Sequence, residues 1–218
     1  MIRDHRVQAY LERLRPERDE VLAEMEAFAR VEAIPIVEWE TGRLLATLVA
    51  ALRPRRVLEV GTAIGYSTLH MAREMPEGGR IVTLERNPDR VAEAGRFWAR
   101  DDAAGCIDLV EGEALQTLLA LDGPFDLVFL DATKTELGDY VHLVDRLVVP
   151  GSLLVVDNLL MSGEAALPEG ADTAWSDDAL AAARRGARDL MASPDWLFSV
   201  LPVGDGVGLA TRRGPVTP

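Results

Sequence analysis

Between residues 55 and 158 the chain alternates short apolar runs with helix-patterned segments, and that alternation limits the folds open to it. RRVLEVG (55–61), GRIVTLE (79–85), CIDLVEG (106–112), DLVFLD (126–131) and SLLVVDN (152–158) each read as a strand. The stretches 64–75, 87 to about 103, 113–121 and 138–147 read as the helices between them. Pro88 suits the first turn of its helix, where a missing N–H costs nothing. Strands separated by helices at this spacing build βαβ units and a parallel sheet. VLEV, LVFL and LLVV are apolar on both faces, as strands covered by helices on both sides must be. Pro150-Gly151 reads as a turn before the last of these strands. WLFSVLPVGDGVGLATRR closes the chain as two strands joined at Gly-Asp-Gly, a hairpin.

At 218 residues the chain reads as a single domain, 1–218. Residues 4–33 form an N-terminal helical extension, one or two amphipathic helices broken near Pro16. Residues 159–176 break the α/β pattern and are rich in Gly, Pro and small side chains; a long loop beside a strand end is a candidate substrate lid. The formal net charge of −13 argues against nucleic-acid or anionic-membrane partners, which need a basic surface. One cysteine, Cys106, permits no internal disulfide. With no long apolar run and a charged N-terminus, the expected compartment is the cytoplasm.

Two adjacent strands end in oxygen ligands. DLVFLD delivers Asp131, and SLLVVDN delivers Asp157 and Asn158. Such a pair of strand ends can hold a hard divalent cation between them. Three residues after Asp131 stands Lys134, the only lysine among 23 basic side chains. A sequence that writes every other cation as arginine but keeps one lysine suggests a site that needs an amine able to lose its proton. LEVGTAIGYS (58–67) is strand, turn, helix, with Gly61 and Gly65 four apart. It lacks the third glycine of the dinucleotide fingerprint and the Gly-Lys-Ser/Thr of a P-loop. Its physics is related: glycine lets a ligand approach the main chain, and the helix start attracts an anion. Glu85 ends the next strand, where an acid can reach ribose hydroxyls. Glu59 lies inside an apolar strand, and a buried acid needs a partner, such as a cationic group on a ligand.

LEVGTAIGYS, TLERNPD, FLDATK and VVDN, in this order and at these spacings, resemble the cation-dependent O-methyltransferases that use S-adenosylmethionine, the catechol and caffeoyl-CoA family. IPIVEWETGRLL resembles that family's segment before the first core strand, and LPVGDGVGLATRR its final hairpin. The resemblance covers roughly residues 34–158 and the hairpin. It implies a Rossmann-like α/β fold: a seven-stranded, mostly parallel sheet with helices on both faces and a C-terminal antiparallel hairpin. It implies that Val37, Glu59, Gly61, Thr62, Ser67, Glu85, Ala114 and Asp131 meet the cofactor, with Glu85 on the ribose diol and Gly112-Glu113-Ala114 along the adenine. Asp131, Asp157 and Asn158 are implied to bind Mg²⁺, or another divalent cation such as Mn²⁺ or Ca²⁺. Lys134 is implied to be the catalytic base, working beside Asp131. The implied partners are a small-molecule acceptor with neighbouring oxygens, most simply a catechol or caffeoyl-like phenol, and a second copy of the chain in a homodimer.

There are departures. Many relatives read Asp-Ala-Asp-Lys where this chain has Thr133, and many have tyrosine where it has Leu137. Other acceptors stay open, among them a hydroxyacyl thioester or a natural-product intermediate. A nicotinamide-dependent oxidoreductase and a non-catalytic binding subunit on the same fold are the readings outside the class. His5, His70 and His142 read as satisfied or surface side chains. Trp39 suits either core or cavity mouth, and Trp175 lies in the candidate lid, where stacking on an aromatic acceptor is one of the readings open to it.

Overall fold

The computed structural model describes residues 5–17 and 19–214. Seven strands form one sheet: β1 (Arg56–Val60), β2 (Arg80–Glu85), β3 (Ile107–Glu111), β4 (Phe125–Leu130), β5 (Val148–Val156), β6 (Trp196–Leu201) and β7 (Val207–Arg212). Their order is β3-β2-β1-β4-β5-β7-β6. Strands β1 to β5 run parallel, and β7 is antiparallel to both of its neighbours. This is the Rossmann-like sheet and closing hairpin expected from the sequence. The chain winds outward one way from β1 to β3 and then returns to lay β4 on the other side of β1. Ligands of open α/β sheets bind at the carboxyl ends of the strands where the order reverses.

Among the described residues eight α-helices surround the sheet: α1 (His5–Leu14), α2 (Glu20–Val31), α3 (Trp39–Leu52), α4 (Tyr66–Ala72), α5 (Pro88–Trp98), α6 (Ala114–Ala120), α7 (Leu137–Asp145) and α8 (Asp177–Ala192). Alternate strand residues face two separate cores. Val57, Ile81, Leu127 and Phe129 point into one, shared with Met25, Leu45, Leu69 and Phe97 of helices α2 to α5. Leu58, Leu84, Val128 and Leu154 point into the other, shared with Leu118, Val144 and Leu190 of α6 to α8. The two-sided apolar strands therefore do what their sequence demands. The extension splits near Pro16 into α1 and α2. Helix α2 reaches the core through Met25 and Ala29. Val7, Tyr10, Leu11 and Leu14 of α1 are exposed.

The structure corrects three boundaries. Helix α5 stops at Trp98 instead of running to about 103, because Asp101 then caps a short 3-10 turn, Asp102–Cys106, through the amide of Ala103. Pro150 and Gly151 lie inside β5, where the register with β4 slips between Phe125 and Leu127. A bulge, not a turn, absorbs them. The 64–75 helix shortens to α4, entered through Gly65 in a left-handed conformation. Segment 159–176 is partly ordered as a 3-10 helix, Met161–Ala166. Among the described residues no helix is long and apolar enough to cross a membrane.

Candidate active site

A cavity of about 520 Å³ opens at the carboxyl ends of β1, β2 and β4. Its floor is the turn after β1. Gly61 has φ +103°, and a Cβ there would lie 2.1 Å from the carbonyl oxygen of Asp131. Gly65 has φ +84°, and a Cβ would strike the Trp98 ring at 2.3 Å. That indole donates to the Gly65 carbonyl at 3.1 Å. Both glycines thus serve close packing of the turn on β4 and α5, as well as leaving room above it.

Val37, Gly61, Thr62, Ser67, Glu85, Ala114, Asp131, Lys134 and Asn158 all line this one cavity. Two of the residues singled out in the sequence stand behind the wall. Glu59 is fully buried and its carboxylate accepts from the hydroxyls of Ser67 at 2.6 Å, Thr83 at 2.6 Å, and Thr68. Burial pushes its pKa up to about 7, against the pull of those three donors. Its partners here are a ring of hydroxyls; Ser67 and Thr62, one layer forward, face the cavity. Asp157 is the second, only 2% exposed.

Glu85 is organised by main chain. Its carboxylate accepts from the amides of Ala63 at 2.8 Å, Asn87 at 2.9 Å and Arg86 at 3.0 Å. An ionised carboxylate offers about four acceptor sites, so one is left for a ligand hydroxyl. Gly112, Glu113 and Ala114 form the wall beside it, with Arg86 and Arg90.

At the other end Asp131 and Asp157 emerge side by side, because β4 and β5 pair in register up to Leu130 and Val156. Lys134 opens a 3-10 turn after β4, and its side chain is only 8% exposed. Its Nζ donates to Asp131 Oδ1 at 3.3 Å. Asn158 takes φ 58°, a left-handed conformation that asparagine tolerates better than most residues. Its amide donates to Asp157 Oδ2 at 3.3 Å. Asp157 Oδ1 is buried without a hydrogen-bond partner. Burial, followed by the nearby Asp131 carboxylate, holds the Asp157 carboxyl well above the usual range, with Lys134 pulling the other way. Among the described residues no three His, Cys, Asp or Glu side chains gather, so this is a set of two carboxylates and one amide. Hard oxygen donors with a buried, unpartnered carboxylate oxygen among them fit a Mg²⁺-like cation.

Residues not singled out as ligands also line the cavity. Tyr140 lies there, one helical turn beyond Leu137 on α7, and its hydroxyl donates to Glu136. The i, i+3 spacing from Leu137 is the signal that could have found it. Burial, then Glu136, raises the Tyr140 pKa. Leu137 is buried instead beneath α8, where a Cβ on Gly186 would meet it at 2.5 Å. Trp175 reaches the cavity from the 159–176 segment. Trp39 lies outside, half-buried under the Arg15 guanidinium at 4.9 Å. His142 is exposed. His70 is buried with Nε2 unpartnered, and burial lowers its pKa to about 4.

A sequence model of an O-methyltransferase family matches residues 13–213, and the chain belongs to that family. The catechol O-methyltransferase of Mycobacterium tuberculosis is 38% identical over 184 residues, 81% of this chain and 80% of that protein. The Arabidopsis thaliana protein named "Probable caffeoyl-CoA O-methyltransferase" is 29% identical over 179 residues, 79% of this chain and 77% of its own. Among solved structures, the O-methyltransferase TomG of Streptomyces achromogenes, crystallised with S-adenosylmethionine, superposes with a TM-score of 0.85 at 30% identity. That match covers 98% of this chain and all of TomG. An O-methyltransferase is the enzyme class defined by this fold and these matches; the oxidoreductase reading is set aside.

Proposed function

We propose that this chain transfers the methyl group of S-adenosylmethionine to a hydroxyl of a small molecule with neighbouring oxygens, a catechol or caffeoyl-like phenol, with the help of a divalent cation. The observation that carries it is the convergence of Glu85, the glycine turn, Lys134, Asp131 and Asn158 on one cavity, with Asp157 buried behind its wall. The catechol O-methyltransferase relative and the S-adenosylmethionine complex of TomG support the same reading.

Methyl transfer from a sulfonium is an in-line displacement, so the site must orient the oxygen and remove its proton. Glu85 holds the ribose diol through its remaining acceptor site. The Gly61–Thr62 turn carries the amino-acid end of the cofactor, with Val37 above it and Ser67, fixed by Glu59, beside it. Ala114 lies along the adenine. Asp131, Asp157 and Asn158 would hold the cation. Bound there, it would supply Lewis-acid chemistry that makes a neighbouring hydroxyl more acidic. Lys134 takes the proton at Nζ, and Asp131, 3.3 Å away, aims the amine. Trp175 forms the wall against which a flat acceptor stacks.

A calorimetric titration with S-adenosylmethionine tests the cofactor half. Glu85→Ala is expected to weaken binding about 10-fold or more, the worth of one or two hydrogen bonds to a charged group. Unchanged affinity would take Glu85 out of the ribose site.

The exposed apolar face of α1, with Val7, Tyr10, Leu11 and Leu14, supports a homodimer in which it packs against a second copy. Sedimentation at micromolar concentration is expected to show a dimer; a monomer would contradict this. The lone Cys106, with no disulfide, is consistent with the cytoplasm as the working compartment.

A further inference from the structure

The 159–176 segment reads in sequence as a lid, yet the structure fastens it. Its first residues are tied to the β6–β7 connection: Leu159 and Leu160 donate to the carbonyls of Gly206 and Asp205, both at 2.9 Å. Ser162 Oγ donates to Asp205 Oδ1 at 3.0 Å. Beyond the 3-10 turn the backbone makes few bonds of its own, and two side chains take over. The Glu164 carboxylate accepts from the amides of Ala174 at 3.0 Å and Trp175 at 3.3 Å. The Arg184 guanidinium, on α8, donates to the carbonyls of Leu167 at 2.6 Å, Ala165 at 2.9 Å and Glu164 at 3.4 Å. Beneath them Met161 is buried against Leu180 and Ala183, with the Trp175 side chain packed on that cluster. The next residue, Ser176, caps α8 through the amide of Ala179 at 3.3 Å. Trp175 is thus held from both sides, and it lines the reaction cavity.

We propose that Glu164 and Arg184 are positioning residues that lock Trp175 as a fixed wall of the cavity, and so set its selectivity for flat aromatic acceptors. An ionised carboxylate makes the stronger kind of hydrogen bond to main-chain N–H groups. The planar guanidinium fork satisfies several carbonyls that an irregular segment otherwise leaves to water. Neither side chain lines the cavity, so each acts through the indole. The proposal rests on the reading of this cavity as the acceptor site.

The test uses the whole 218-residue chain labelled with 5-fluorotryptophan. Trp175→Phe assigns its line among the four tryptophans. In the wild type one sharp Trp175 line is expected. Glu164→Ala and Arg184→Ala are expected to broaden or shift it. They should raise the KM for a catechol about 10-fold, near 1.4 kcal/mol, while kcat and S-adenosylmethionine affinity hold within roughly twofold. Glu164→Gln, whose amide oxygen still accepts, is expected to restore both. An unmoved line with unchanged KM would overturn the proposal. So would a parallel loss of cofactor affinity, kcat and KM, the mark of a merely structural role. If the wild type methylates no catechol, the acceptor reading fails, and the fluorine line still decides whether the clamp exists.

Discussion

Lys134→Ala is expected to lower turnover by about 10²-fold or more, the usual scale for losing a general base, and to leave S-adenosylmethionine affinity nearly intact. The separation follows from where the side chain sits. Lys134 lines the cavity at the strand-end carboxylates, with Nζ 3.3 Å from Asp131 Oδ1, whereas Glu85 and its three main-chain donors belong to the β2 end. Lys134→Arg sharpens the test. Arginine keeps the positive charge but cannot shed a proton, so a base should stay lost and a purely electrostatic role should recover. Single-turnover transfer from labelled cofactor reads the chemical step free of product release. Wild-type turnover in Lys134→Ala would remove this residue from the mechanism.

Asp157→Ala is expected to abolish activity, by about 10²-fold or more, and to abolish the response to divalent cation with it. Asp157 is 2% exposed, and its Oδ1 has no hydrogen-bond partner. A buried carboxylate beside a second one is costly unless a cation compensates it. Adding Mg²⁺ should therefore raise the melting temperature of the wild type, since a ligand that binds only the native state stabilises it. It should leave Asp157→Ala unmoved. The thermal shift does not depend on finding the right acceptor. Full activity of the wild type in a chelator would sink the metal site.

The sheet was readable because its strands are buried on both faces: VLEV, LVFL and LLVV have no polar stripe to confuse with a helix. The boundaries that moved did so for tertiary reasons. Asp101 ends α5 by capping the next turn, and Pro150-Gly151 becomes a bulge because Ser152 Oγ, donating to the Phe125 carbonyl at 2.8 Å, holds the strand across it. Within the site, the carboxylates, the lysine and Glu85 were visible because each ends or follows a strand. Glu59 was visible as an anomaly, but its partners were not. Ser67, Thr68 and Thr83 come from other elements and meet only once α4 packs on β1 and β2. Tyr140 was hidden by attention to position 137, one turn before it on the same face. The clamp on Trp175 was beyond reach for a similar reason. Nothing in the spacing of Glu164, Trp175 and Arg184 announces that irregular backbone will present its amides and carbonyls to those two side chains.

The most direct measurement is methyl transfer from labelled S-adenosylmethionine to a small panel of catechols, caffeoyl thioesters and 2-hydroxyacyl thioesters, run with Mg²⁺ and with EDTA. Transfer to a catechol or caffeoyl acceptor that EDTA stops and Mg²⁺ restores is the predicted result. Transfer that proceeds unchanged in EDTA, or no transfer to any member of the panel, would contradict it.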